Sequence, residues 1–180
     1  MPEISDQEDR SLVSISESLK KNYADSSEGQ WHGSPFSWIL SKPSRQKGKI
    51  GEELVSTWCA SKGLEVGRSP NSDSDRVIEG KKIEIKFSTL WENGQYKFQQ
   101  IRDQDYDYLF CLGISPFAVH AWIMKKEEMP LDIMPYQHGG SEGRDTRWLT
   151  VRPDNIPGQL NKFGGSLSSV LKILKSISDE

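Results

Sequence analysis

An α/β fold, a central mixed β-sheet flanked by helices, is predicted by three features of this 180-residue chain. Ile83, Ile85 and Phe87 alternate with Lys82, Glu84, Lys86 and Ser88, the period of a strand with one apolar and one charged face. Ile50, Leu54, Val55, Trp58 and Cys59 before it, and Leu167, Val170, Leu171, Leu174 and Ile177 near the end of the chain, follow helical spacing instead. Residues 107–114 and 118–124 are short apolar runs separated by Ser115-Pro116-Phe117, which reads as two more strands around a turn.

Taken in order, residues 1–30 form an acidic N-terminal segment, with seven acids and three bases. Leu12, Ile15 and Leu19 suggest a short helix within residues 5–22, and polar residues 25–33 a linker. Residues 31–180 then make one domain of ordinary size. Phe36, Trp38, Ile39 and Leu40 form an apolar packing cluster that ends at Pro43. Lys42, Arg45, Lys47 and Lys49 follow without an intervening acid. This basic patch suits either a phosphate backbone or simple solubility, and its position just before the next helix favours the backbone. That helix opens at Gly51-Glu52 and ends at Lys62-Gly63, with glycine as its C′ residue. Glu52, seven residues before Cys59, borders the buried stripe, whereas Glu53 points toward solvent.

Residues 64–66 are the first sheet strand, followed by the turn-rich Ser69-Pro70-Asn71-Ser72. Arg76-Val77-Ile78 is a short strand joined to the alternating one through Gly80-Lys81, which fits a type II′ turn. That register sets Asp75 across from Lys86, on the face that carries Glu84. Glu84 and Lys86 point the same way, with Cα atoms about 7 Å apart. Residues 88–102 interleave Trp91, Tyr96 and Phe98 with Gln99, Gln100 and Arg102, side chains suited to base, sugar or phosphate contacts or, for the aromatics, to packing beneath a loop. His120 lies in a strand pattern and reads as structural. Residues 137–148 are glycine-rich without a period, a long loop in which Arg144 and Arg147 could reach phosphates and His138 has no evident partner. Ser166, after Gly164-Gly165, is a good N-cap for the C-terminal helix, whose apolar face can pack on the sheet or on a second copy in a homodimer.

Bulk properties narrow the function. No apolar run approaches a membrane span, and Met1-Pro2-Glu3 does not open a secretory leader, so a cytoplasmic protein is expected. Cys59 and Cys111 sit in apolar patterns as core thiols, without zinc-site spacing. The net charge of -3 is concentrated in residues 1–30, so the rest of the chain is slightly basic. There is no phosphate-binding Walker loop, dinucleotide fingerprint or His-Glu-x-x-His pair.

Two carboxylates and a lysine gathered on one hairpin suit divalent-metal phosphodiester hydrolysis. Asp75 and Glu84, with the Ile85 carbonyl, can hold Mg²⁺ or Mn²⁺, which prefers oxygen ligands and keeps several waters, and Lys86 can orient the attacking water. The set of Asp75 followed by Glu84-Ile85-Lys86 resembles the signature of the PD-(D/E)XK nuclease superfamily, and the resemblance covers residues 48 to about 114. It implies a restriction-endonuclease-like core and makes residues 31–180 a nuclease-like domain. It also implies that Glu52, in a Gly-Glu near the start of the first core helix, adds a third carboxylate. The resulting expectation is a Mg²⁺-dependent endonuclease acting on double-stranded DNA, leaning toward a compact restriction type. A repair or recombination nuclease shares this core. A noncatalytic nucleic-acid-binding or assembly subunit on the same fold is the alternative, although such a protein would not need the acid-acid-lysine set intact.

Overall fold

The computed structural model describes residues 27–137 and 146–177. The N-terminal helix expected in residues 5–22, His138 and Arg144 lie outside the described residues. The architecture is mixed α/β. A five-stranded sheet in the order β1-β2-β3-β5-β6 is formed by β1 (Val66–Arg68), β2 (Arg76–Ile78), β3 (Lys81–Thr89), β5 (Tyr108–Ile114) and β6 (Val119–Lys125). β3 and β5 are parallel and the other pairs antiparallel. A second, antiparallel sheet, β4-β8-β7, joins β4 (Tyr96–Ile101), β8 (Thr146–Val151) and β7 (Tyr136–Gln137). Three α-helices, α1 (Ser27–Trp31), α2 (Ser44–Ser61) and α3 (Leu167–Ile177), are described beside several short 3₁₀ turns. No described helix is long and apolar enough to cross a membrane.

The larger sheet is covered on both faces, which is why every residue of β5 is buried. Tyr108, Phe110, Leu112 and Ile114 join Ile83, Ile85 and the apolar residues of α2 and α3 in one core. Leu109 and Cys111 face the other way, into a second core with Tyr96, Phe98, Trp122 and Leu149. Gly113 makes that second contact close, since a Cβ there would lie 2.8 Å from the Tyr96 ring. α3 buries Val170, Leu174 and Ile177 and packs on β6, and Ser166 Oγ accepts the Ser169 N–H as its N-cap. Of the two partners its apolar face allows, the helix meets the sheet.

Four local expectations need correction. The opening sheet strand is Val66–Arg68, not residues 64–66. The first core helix begins at Ser44, not Gly51, so Arg45, Lys47 and Lys49 form its opening turns. Those residues are good helix formers, but they carry no apolar stripe to announce the helix. The linker region holds the short α1, whose Trp31 is buried. The segment after β3 is likewise more than a loop, because Tyr96–Ile101 is a full strand of the second sheet.

The hairpin register also differs. Its pairs are Ile78↔Lys81, Val77↔Lys82 and Arg76↔Ile83, so the turn residues are Glu79 and Gly80. Both have positive φ, 49° and 73°, as a type I′ turn requires. Glutamate rarely adopts this conformation. Here it is held from the adjoining strand segment, where Glu79 N–H donates to Glu65 O and Glu79 Oε1 accepts the Glu65 N–H at 2.6 Å. Continuing the register sets Asp75 opposite Glu84, not Lys86.

Candidate active site

β2 is paired with β3 only as far as Ile83, so among the described residues no strand pairs with this edge of β3 beyond it. Asp75 closes the start of this edge. Its N–H donates to Ile83 O at 2.9 Å, and its Oδ2 accepts the Ile85 N–H at 2.7 Å. A strand residue directs its N–H and C=O to the same side, so the Ile85 carbonyl faces the same edge as the Asp75 carboxylate.

Glu84 and Lys86 share the face of β3 that looks toward the second sheet, and Lys86 Nζ lies 2.7 Å from Glu84 Oε1. Glu84 is only 6% exposed. Burial raises its pKa, Lys86 opposes the rise, and the charge of the neighbouring Asp75 adds to it. Asp75 and Glu84 are thus neighbouring carboxyl groups whose charges oppose one another, with one ammonium beside them.

Glu52 reaches the site from the opposite face of the sheet. Gly51 makes this approach possible, because a Cβ at that position would fall 2.3 Å from Phe87 Cβ. α2 therefore lies directly against β3, with Glu52 beside the end of β2. The Glu52 pKa is raised, first by burial and then by Asp75, while Arg76 opposes the shift. Arg76 Nη1 sits 3.4 Å from Glu52 Oε2 and donates to Asp75 O at 2.7 Å.

Arg76 is the residue that sequence reasoning overlooked. Its pairing with Ile83 puts it on the apolar, helix-facing side of the hairpin. A charge on that face needs a partner, and this requirement was the available signal.

An open cleft of about 590 Å³ runs along this edge of β3. Arg45, Lys47 and Glu52 of α2 line it on one side, Asp75, Ile85 and Lys86 at its base, and Lys97, Gln99 and Gln100 of β4 on the other. β4 is tied to β3 through Ser88 Oγ, which accepts the Lys97 N–H at 2.9 Å. Lys97 Nζ in turn rests 3.9 Å above the Trp91 ring.

The structure does not bring every candidate nucleic-acid contact to this cleft. Lys42 is not among its lining residues, and the exposed Lys49 lies 4.0 Å from Glu53. Arg102 and Arg147 border a separate cavity with Tyr106, Lys126 and Tyr136. Arg147 is occupied there: it donates to Met134 O at 2.7 Å and stacks 3.7 Å over Tyr136.

Other reactive side chains have structural surroundings. Both cysteines are buried and free, and burial pushes the Cys59 thiol up to about 12. His120 Nδ1 is 2.9 Å from Tyr96 Oη, its ring stacks on Trp122, and burial lowers its pKa.

Among the described residues, no three His, Cys, Asp or Glu side chains are grouped to hold a metal on their own. Mg²⁺ does not need three, since it is commonly held by one or two carboxylates with water and phosphate oxygens completing the shell. Asp75, Glu84 and the Ile85 carbonyl fit that requirement.

Comparison with family models finds no match, and comparison with curated proteins finds none either. Among solved structures, a bacterial homing endonuclease is similar at 14% sequence identity and a TM-score of 0.49, over 76% of this chain and 97% of that one.

Proposed function

We propose that this chain is a metal-dependent DNA endonuclease with a PD-(D/E)XK-type site on a restriction-endonuclease-like core. The observation that carries the reading is the grouping of Asp75 with Glu84 and Lys86 where β3 runs on past its pairing with β2, with Asp75 Oδ2 fixed by the Ile85 N–H. A charged hairpin kept only for solubility has no reason to place Glu84 at 6% exposure, where ionisation is disfavoured.

Asp75, Glu84 and the Ile85 carbonyl would hold Mg²⁺, or Mn²⁺ in its place, which supplies charge neutralisation at the phosphate and activation of water. The chain's own groups do the rest. Lys86, positioned by Glu84 and only 19% exposed, directs N–H groups at the attacking water and offsets negative charge growing on the non-bridging oxygens. Glu52 adds negative charge at the flank, its orientation set by Arg76. Arg45 and Lys47 lie on the cleft wall, suited to the phosphate backbone of a duplex.

The direct test is incubation of plasmid DNA with the purified protein in Mg²⁺ and in Mn²⁺, beside the Glu84→Ala and Lys86→Ala variants. Nicked or linear products from the wild type, lost in both variants, are expected. A wild type that cuts no DNA with either metal would refute the reading.

A further inference from the structure

Strand β4 contains a local irregularity that the catalytic chemistry does not require. Phe98 pairs with Leu149 and Ile101 with Arg147. β4 thus advances three residues where β8 advances two, and the extra residue is a β-bulge. Gln100 is at its centre with φ of 55°, a left-handed conformation that favours glycine.

The bulge changes which side chains face the cleft. In an unbroken strand the buried positions Tyr96 and Phe98 would be followed by residue 100, and Ile101 would point outward. Instead Ile101 is buried, Gln100 is exposed and Gln99 is half-buried. Two consecutive amides thereby line the cleft that also contains Asp75 and Lys86. Among the described residues neither amide side chain has a hydrogen-bond partner. A bulge serving only the backbone would be satisfied by glycine, whereas this one turns a pair of amide groups toward the cleft.

We infer that Gln99 and Gln100 are the base-reading residues of the cleft, selecting adenine in the major groove of bound DNA. A glutamine amide matches the adenine edge bidentately, donating to N7 and accepting from N6. A β-ribbon such as β4–β8 can enter the major groove, while Arg45 and Lys47 on the facing wall hold the backbone in register. The inference rests on the DNA reading above and adds sequence preference to it.

The test is selection of bound sites from a randomised duplex pool in Ca²⁺, which supports binding without requiring cleavage. Wild type should enrich adenine at two neighbouring positions by roughly tenfold or more. Gln99→Ala and Gln100→Gly should each reduce the enrichment at one of them to near background. Gln100→Gly is the decisive variant because glycine relieves the left-handed backbone. Its thermal midpoint should equal or exceed that of the wild type even as base preference at its position disappears. Unchanged enrichment in both variants, or no adenine enrichment by the wild type, overturns the inference. Cleavage in Mg²⁺ is scored separately: adenine selection without cleavage would sink the nuclease reading and leave this one standing.

Discussion

Lys82 and Lys86 stand on the same face of β3 and each meets a carboxylate, yet the two groupings differ in what surrounds them. Lys82 Nζ lies 2.5 Å from Asp105, and nearby Lys126 pairs with Asp103 at 2.7 Å. Asp103 and Asp105 are exposed, and hydrogen bonding to the lysines holds their pKa values below the usual carboxylate range. Glu84 has an equally short contact with Lys86, but burial raises its pKa despite the lysine. A lysine–carboxylate pair is thus a solvated surface bridge at one end of the strand and holds a buried, desolvated carboxylate at the other. Desolvation, not pairing, distinguishes the two, and a buried, strained charge is where a cation gains most by binding.

The largest effect that could break this contrast is on cleavage. Glu84→Ala should reduce the rate by roughly a hundred- to a thousandfold or more in Mg²⁺ and in Mn²⁺, and Lys86→Ala should do so with metal still bound. Lys82→Ala and Asp105→Ala should remain within about twofold of the wild type, since exposed pairs contribute little. Single-turnover cleavage combined with calorimetric metal titration measures both. Equal losses from the two ends of β3 would erase the distinction.

Stability as a function of pH tests the cause. For an acid whose folded pKa is raised, the folded state binds the extra proton. Stability therefore falls as pH rises from the unfolded value, about 4.3, through the higher folded value. Glu84→Gln should match the metal-free wild type in thermal midpoint at and below about pH 4 and exceed it at neutral pH. The stabilisation given by Ca²⁺ should weaken as pH falls through the same window, because protons compete with the cation. Asp103 and Asp105 have the opposite sign. Their contribution is present above the unfolded carboxylate pKa and is lost only as pH falls through the lower folded values.

Arg76 sharpens the comparison, since it is the cation that partly compensates Glu52. Arg76→Gln should tighten Mn²⁺ binding by about fivefold through removal of a competing positive charge, read by titration calorimetry; weaker binding would mean that its bond to Asp75 O matters more. The smallest effects concern the basic helix end. Exchanging Arg45 and Lys47 for alanine should flatten the slope of log DNA affinity against log salt by about two units. The same change at Lys42 and Lys49 should leave it nearly unaltered.

The sequence by itself determined the elements whose signal is local. Period-two alternation put Glu84 and Lys86 on one face of β3, helical spacing located α3, and Ser166 marked its start. The grouping of Asp75 with Glu84 and Lys86 was legible because an acid and a Glu-x-Lys flank a glycine turn. What only the tertiary structure decided involved a third partner. The hairpin register depends on Glu65, which holds Glu79 in a left-handed conformation that its own sequence disfavours. β4 was obscured because the bulge at Gln100 breaks the alternation, and pairing with distant β8 stabilises the strand regardless. Arg76 acquired its role only when Gly51 let α2 close on Phe87 and brought Glu52 within reach. Local periodicity records which face a side chain takes, whereas register, burial and charge balance arise from contacts between segments far apart in the chain.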